Sequence, residues 1–134
     1  MTTATQDAPL QDRVTLLIAE DEESNYLLLK TILQKYCNLI RAKTGKEALE
    51  KFQENNNVDL IMLDIKMPEM TGIEALKEIR KMSDTIPVIM QSAYVFDSDM
   101  EEARQAGASD FITKPINIKI LKDTLTKYCP ALQF

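Results

Sequence analysis

A chain of 134 residues with 45% hydrophobic side chains is long enough to bury one core of ordinary domain size and too short for two. Its 21 acidic residues outweigh 16 basic ones, for a net charge of −5, which argues against a nucleic-acid surface, because phosphate contacts need clustered Lys and Arg. Histidine is absent, which excludes Ser-His-Asp catalysis, most zinc sites and a phosphohistidine on this chain.

Met1–Arg13 is polar and lacks the apolar h-region of a signal peptide, so it reads as a flexible lead-in or linker. No apolar stretch approaches the ~20 residues of a membrane span, so no direct membrane contact is expected. From Val14 onward, short apolar runs alternate with stretches of helical period. Val14–Ala19, Val58–Leu63 and Pro87–Gln91 are nearly unbroken apolar runs, as expected of strands covered on both faces of a parallel sheet. Leu39–Lys43 and Ser109–Thr113 complete the set of strands. The 3.6 period predicts helices on four stripes. These are Leu28, Leu29, Ile32, Leu33 and Tyr36; Ala48, Leu49 and Phe52; Ile73, Leu76 and Ile79; and Leu121, Leu125 and Tyr128, extended by Ile118. Thr44 with Glu47, Thr71 with Glu74 and Ser98 with Glu101 read as capping boxes, and Gly107 as a helix stop. The fourth helix, Ser98 to Ala106, has only Met100, Ala103 and Ala106 as an apolar face. With so little burial to hold it, a movable element is expected there. Cys37 and Cys129 are too few for a disulfide framework and are expected to be reduced.

Strict alternation of strand and helix implies a doubly wound parallel α/β sheet with right-handed crossovers, in which ligands sit beyond the carboxyl ends of the strands. Four polar positions fall on those ends: Glu20-Asp21, Asp64, Ser92 and Lys114. Singly, Asp21 is an ordinary acid at a helix start, Ser92 a turn residue and Lys114 a solvated charge. Together on one edge they point to a site. If the first and third strands are neighbours, Glu20, Asp21 and Asp64 converge, and their mutual repulsion asks for a cation. An all-oxygen site with few protein ligands suits Mg²⁺, or Mn²⁺ in its place. The Asp64 carboxylate can attack phosphorus to form an acyl phosphate, with Lys114, the Ser92 hydroxyl and the Ala93 N–H facing the phosphoryl oxygens. The Lys114–Pro115 bond is open to either isomer.

Four motifs in this order and spacing make the chain resemble a receiver domain of the response-regulator family of two-component signalling. They are Ile-Ala-Glu-Asp-Glu at 18–22, Leu-Asp-Ile-Lys-Met-Pro-Glu-Met-Thr-Gly at 63–72, Gln-Ser-Ala at 91–93 and Gly-Ala-Ser-Asp-Phe-Ile-Thr-Lys-Pro at 107–115. The resemblance covers residues 14–128, leaving 129–134 as a C-terminal tail. It implies a (βα)5 sheet of order 2-1-3-4-5. It implies that Asp64 accepts a phosphoryl group from a phosphohistidine on a histidine kinase or histidine phosphotransfer protein. Glu20, Asp21, Asp64 and the backbone carbonyl of Lys66 would hold the metal. Ser92 and Lys114 would contact the phosphoryl group, and Ser92 with Phe111 would form the switch. The face of helix 4, strand 5 and helix 5 would then change and alter binding of a downstream protein, with a phosphorylation-dependent homodimer as one open outcome. No turnover of an external substrate is expected, and the location implied is cytoplasmic: the bacterial cytosol, or the cytoplasmic part of a membrane sensor kinase. Lys66 and Tyr94 flank the path of a hydrolytic water and are expected to tune the phosphate lifetime.

Departures from the family pattern are small: Glu20 for the commoner aspartate, Ser92 for threonine, and Thr71 where Asp, Asn or Ser is frequent. Glu20-Asp21 with Asn25 resembles receivers of hybrid sensor kinases. Only six residues follow Tyr128, too few for an output domain, so the signal is expected to leave through a protein surface or within a longer chain. Other readings compete. A receiver that only binds partners would share this fold. A haloacid-dehalogenase-like phosphatase would need an acid where Lys66 stands. A flavodoxin-like FMN carrier would need a hydroxyl-rich loop where Glu20-Asp21-Glu22-Glu23 stands.

Overall fold

The apolar runs form the strands expected of them. The computed structural model describes residues 13–93 and 97–134. Within them lie β1 (Thr15–Ala19), α1 (Glu23–Leu33), β2 (Asn38–Ala42), α2 (Gly45–Glu54), β3 (Leu60–Asp64), α3 (Gly72–Met82), β4 (Val88–Ser92), α4 (Asp97–Ala106), β5 (Asp110–Thr113) and α5 (Ile118–Tyr128). The strands pair in parallel in the order β2-β1-β3-β4-β5. Every residue of β1, β3 and β4 is buried, because helices cover both faces of the sheet. On one face Leu17, Ile61, Leu63, Met90, Ile73, Leu76 and Ala103 form a core under α2, α3 and α4. On the other, Leu16, Ile18, Leu60, Met62, Leu29, Leu33, Leu121 and Leu125 form a second core under α1 and α5.

Helix ends follow local chemistry. The Thr71 hydroxyl accepts from the Glu74 N–H while the Glu74 carboxylate accepts from the Thr71 N–H, a closed capping box. At Thr44 the box is displaced: the hydroxyl accepts from Glu47 N–H, but the Glu47 carboxylate reaches back one residue further, to Lys43 N–H. Asn117 caps α5 through Ile120 N–H. Gly107, at φ 108°, ends α4 with paired bonds to the carbonyls of Arg104 and Ala103 from its own N–H and that of Ala108.

The helices depart from expectation at further points. Leu28 is 41% exposed, because the buried stripe of α1 runs through Leu29 and Leu33 and Leu28 lies about 100° round the helix from it. Ile118 is 49% exposed, since it begins α5 at the rim, one turn before the buried Leu121. Ser98 lies inside α4, which starts at Asp97, so it does not cap that helix. The C-terminal tail contributes Leu132, 1% exposed, to the second core, and Phe134 meets Tyr36 edge-on at 4.9 Å. Both cysteines are free.

Candidate functional site

Strand register brings the polar ends together. Ala19 pairs with Leu63, which sets Glu20 beside Asp64 at the carboxyl edge. Asp64 pairs with Gln91 and Ser92 with Thr113, so Ser92 and Lys114 close the row from the other side. Asp64 and Ser92 are the last residues of their strands, which run one residue further than the expected ends at Leu63 and Gln91. Rigid strand ends therefore hold them.

Lys114 is the hub. Its Nζ lies 2.6 Å from Asp64 Oδ2 and 2.7 Å from Glu20 Oε1. Asp64 Oδ1 accepts from the Lys66 N–H at 3.1 Å, and Glu20 Oε2 accepts from the Glu22 N–H at 3.1 Å. Glu20 is fully buried, and its Oε1 faces the Lys114 ammonium as its charged neighbour. Burial pushes the Glu20 carboxyl above its usual range, against the lowering influence of Lys114 and Glu22. For Lys114, burial pulls downward, but the hydrogen bonds and charges of Asp64 and Glu20 outweigh it and leave the ammonium raised. Oxygens of Glu20, Asp21 and Asp64 lie within 4.8 Å of one another, with Asp21 exposed to solvent. Asp21, Glu22, Asp64, Lys66, Ser92, Ala93 and Lys114 line a cavity of about 200 Å³. A larger open groove, about 780 Å³, lies between α5 and the tail; its one ion pair, Lys119 with Asp123 at 2.7 Å, is an exposed i,i+4 contact along α5, not a buried cluster like that at the strand edge.

The loop after Asp64 is seated by two close approaches. Gly72 sits where a Cβ would collide with the Asp64 carbonyl, and its N–H bonds to the Ile65 carbonyl at 2.9 Å. Gly45, at the start of α2, sits equally close to the Met70 carbonyl, and the Lys46 N–H bonds to Glu69 O at 3.0 Å. Between them Glu69 and Met70 adopt φ values of 51° and 94°, left-handed conformations that a non-glycine residue holds only when its surroundings enforce them. The Lys114–Pro115 bond is cis. Phe111, on the edge strand β5, is half-buried against the first core, with the Arg104 guanidinium 5.5 Å from its ring centroid. Tyr94 lies outside the described residues. Arg41, which the sequence reading passed over, reaches the Glu20 carbonyl; its signal was a lone charge in the otherwise uncharged strand Asn-Leu-Ile-Arg-Ala.

Comparison with known proteins agrees with this geometry. The chain matches the response regulator receiver domain over residues 16–126 and belongs to that family. It is a receiver domain of two-component phosphorelay signalling. It is 39% identical over 114 residues to the chemotaxis protein CheY of Bacillus subtilis, covering 84% of this chain and 94% of that protein. It is 36% identical over 128 residues to the hybrid signal transduction histidine kinase I of Dictyostelium discoideum, covering 88% of this chain but 7% of that one. Much of the curated kin is longer; this chain spans 26% of the transcriptional regulatory protein ZraR of Escherichia coli. Among solved structures, the chemotaxis protein CheY4 of Vibrio cholerae superposes with a TM-score of 0.81 at 29% identity, covering 87% of this chain and 98% of that one. The receiver domain of Ssk1 from Saccharomyces cerevisiae, solved with the histidine phosphotransfer protein Ypd1, gives a TM-score of 0.79 at 28% identity, covering 87% and 88% of the two chains. No helix among the described residues is long and apolar enough to cross a membrane.

Proposed function

We propose that Asp64 is the phosphoacceptor of this receiver. The observation that carries the reading is a buried Asp64 carboxylate that shares a cavity of about 200 Å³ with Lys114, Ser92 and Asp21. An Asp64 oxygen forms the new bond to phosphorus. The phosphorus–nitrogen bond of a phosphohistidine breaks, and its electron pair returns to the imidazole of the donor. That donor is a histidine kinase or a histidine phosphotransfer protein; the Ssk1 receiver, solved with the phosphotransfer protein Ypd1, is a precedent in kind. The donor set fits a small oxygen-loving cation: carboxylate oxygens of Glu20, Asp21 and Asp64 clustered within 4.8 Å, with the one ammonium of Lys114 shared between two of them. Glu20, Asp21, Asp64 and the Lys66 carbonyl would hold Mg²⁺ or Mn²⁺, which when bound supplies positive charge against the phosphoryl oxygens.

Lys114 exchanges a carboxylate oxygen for a phosphoryl oxygen. The Ser92 hydroxyl donates to another, and its movement lets Phe111 turn inward. The face of α4, β5 and α5 carries the change to a downstream protein. Lys66 and Tyr94 lengthen the lifetime of the acyl phosphate, so truncating either to alanine shortens it; an unchanged lifetime sinks that assignment. The protein acts in the cytoplasm, alone or as part of a sensor kinase.

The central test is intact mass after incubation with acetyl phosphate, with and without Mg²⁺, on wild type and Asp64→Ala. One phosphoryl group gained only when both Mg²⁺ and Asp64 are present is expected. A phosphoryl group on Asp64→Ala would overturn the assignment.

A further inference from the structure

Arg41 is the single charged residue of β2, and its side chain is 15% exposed. Its guanidinium is engaged on three sides. Nε and Nη2 both donate to the backbone carbonyl of Glu20, at 3.3 and 3.1 Å. Nη1 donates to Glu23 Oε1 at 2.6 Å. The guanidinium carbon lies 4.4 Å from the centroid of the Tyr26 ring.

The carbonyl it holds has a defined place in the sheet. Glu20 N–H makes the last ladder bond of β1 to β2, to Ala42 O at 2.9 Å, and β2 ends at that residue. The Glu20 carbonyl therefore has no further strand to pair with. The Arg41 fork takes over where the ladder stops. The Glu23 end of the contact is 64% exposed, and an exposed ion pair contributes little by itself. Arg41 nevertheless holds the Glu23 carboxyl below its usual range, by hydrogen bond and charge. The net effect is a brace from the end of β1 to the first turn of α1, spanning the consecutive acids Glu20, Asp21, Glu22 and Glu23.

We infer that Arg41 is a positioning residue for the acid pair: by fixing the Glu20 backbone and the start of α1 it holds Glu20 and Asp21 in the arrangement that receives a divalent cation. This rests on the reading of the cluster as a cation site. It makes a prediction whose sign separates positioning from plain charge. If Arg41 acted only as a nearby positive charge, removing it would strengthen cation binding by lifting a repulsion. If it acts by positioning, removing it weakens binding, because the ligands must then be ordered at the moment the cation arrives.

The experiment is titration of Mn²⁺, read from the spin resonance of the free ion at fixed pH and ionic strength, on wild type, Asp21→Asn, Arg41→Met and Arg41→Lys. Wild-type binding that Asp21→Asn weakens supports the cation site itself. No wild-type binding overturns that reading and this inference with it. Both Arg41 variants are expected to bind about tenfold more weakly, the lower end of the loss seen when a group orienting metal ligands is removed. Lysine keeps the charge but not the fork, so it does not rescue. Affinity unchanged or raised in Arg41→Met, or restored in Arg41→Lys, overturns the inference. Thermal melts of the metal-free proteins establish that each variant folds. Should Arg41→Met fail to fold, Arg41→Lys carries the test alone.

Discussion

Replacing Lys114 by methionine measures what holds the carboxylates of the site together. Its Nζ lies 2.6 Å from Asp64 Oδ2 and 2.7 Å from Glu20 Oε1, and methionine keeps the stem while removing the charge. Glu20 and Asp64 then face each other with oxygens no more than 4.8 Å apart, a repulsion of about 3.5 kcal/mol at an effective dielectric of about 20. Both residues are buried, at 0% and 5% exposure, so water screens the pair only in part. The metal-free variant is expected to lose about 3–4 kcal/mol, in line with the ~3–5 kcal/mol typical of breaking a buried ion pair. For a chain of this length that lowers Tm by about 10–15 °C. A divalent cation restores counter-charge, so saturating Mg²⁺ is expected to raise Tm more in the variant than in wild type. Circular-dichroism melts near pH 8, with Mg²⁺ and with chelator, read both quantities. A metal-free Tm equal to wild type, or an equal Mg²⁺ increment, refutes the reasoning.

Other expectations follow from single contacts. Gly72→Ala places a Cβ against the Asp64 carbonyl and the Ile65 Cα, backbone atoms that cannot swing away, so it is expected to cost about 2 kcal/mol in denaturant titration and to impair phosphorylation of Asp64 by acetyl phosphate. Hydrogen bonds from Thr71 hold the Glu74 carboxyl below its usual range; its contribution is present above the unfolded carboxyl range, about pH 4.3, and lost as pH falls through the lower folded value. The stability gap between wild type and Glu74→Ala is therefore expected at pH 7 and should narrow towards pH 3; a constant gap contradicts it. Burial pushes the Cys37 thiol up to about 12, so iodoacetamide at pH 8 should leave it unmodified in the folded protein and label it on unfolding. Labelling of native Cys37 as fast as a free thiol would be inconsistent with the packing described.

Much of this was legible in the sequence, for a physical reason. A parallel sheet covered on both faces demands unbroken apolar strands, and Val14–Ala19, Val58–Leu63 and Pro87–Gln91 supply them in the plainest form. Chemistry at the carboxyl edge then had to lie in the first residues after each run, which gave Glu20, Asp21, Asp64, Ser92 and Lys114. What the pattern did not give depends on tertiary direction. Arg41 looked like one more edge-strand side chain, and only the register of β1 with β2 brings it to the Glu20 carbonyl. The displaced box at Thr44 turns on where one carboxylate swings, which spacing does not specify. Leu132 sits in a tail with no periodic partner in sequence, yet it closes the second core. Glu69 and Met70 carry no glycine to advertise their left-handed backbone; the contacts of the loop with α2 enforce it.

Charge balance at the site explains why the proposed chemistry needs a cation. Glu20, Asp21 and Asp64 against the single ammonium of Lys114 leave a formal charge of −2 around a cavity of about 200 Å³. A phosphoryl group brings roughly −1.5 to −2 more. At contact distances, that repulsion amounts to several kcal/mol even at intermediate dielectric. Lys114 cannot relieve it alone, because its ammonium is already shared between two carboxylates at 2.6 and 2.7 Å. A divalent cation held by Glu20, Asp21 and Asp64 would bring the resting site to neutrality, so that an incoming group would meet a balanced cavity. In the proposed transfer Lys114 would exchange one anionic oxygen for another and keep a partner throughout, which would keep the step free of the cost of a bare buried charge. The same repulsion that makes the metal-free site unfavourable is thus what gives the cation, and after it the phosphoryl group, an arrangement ready to receive them.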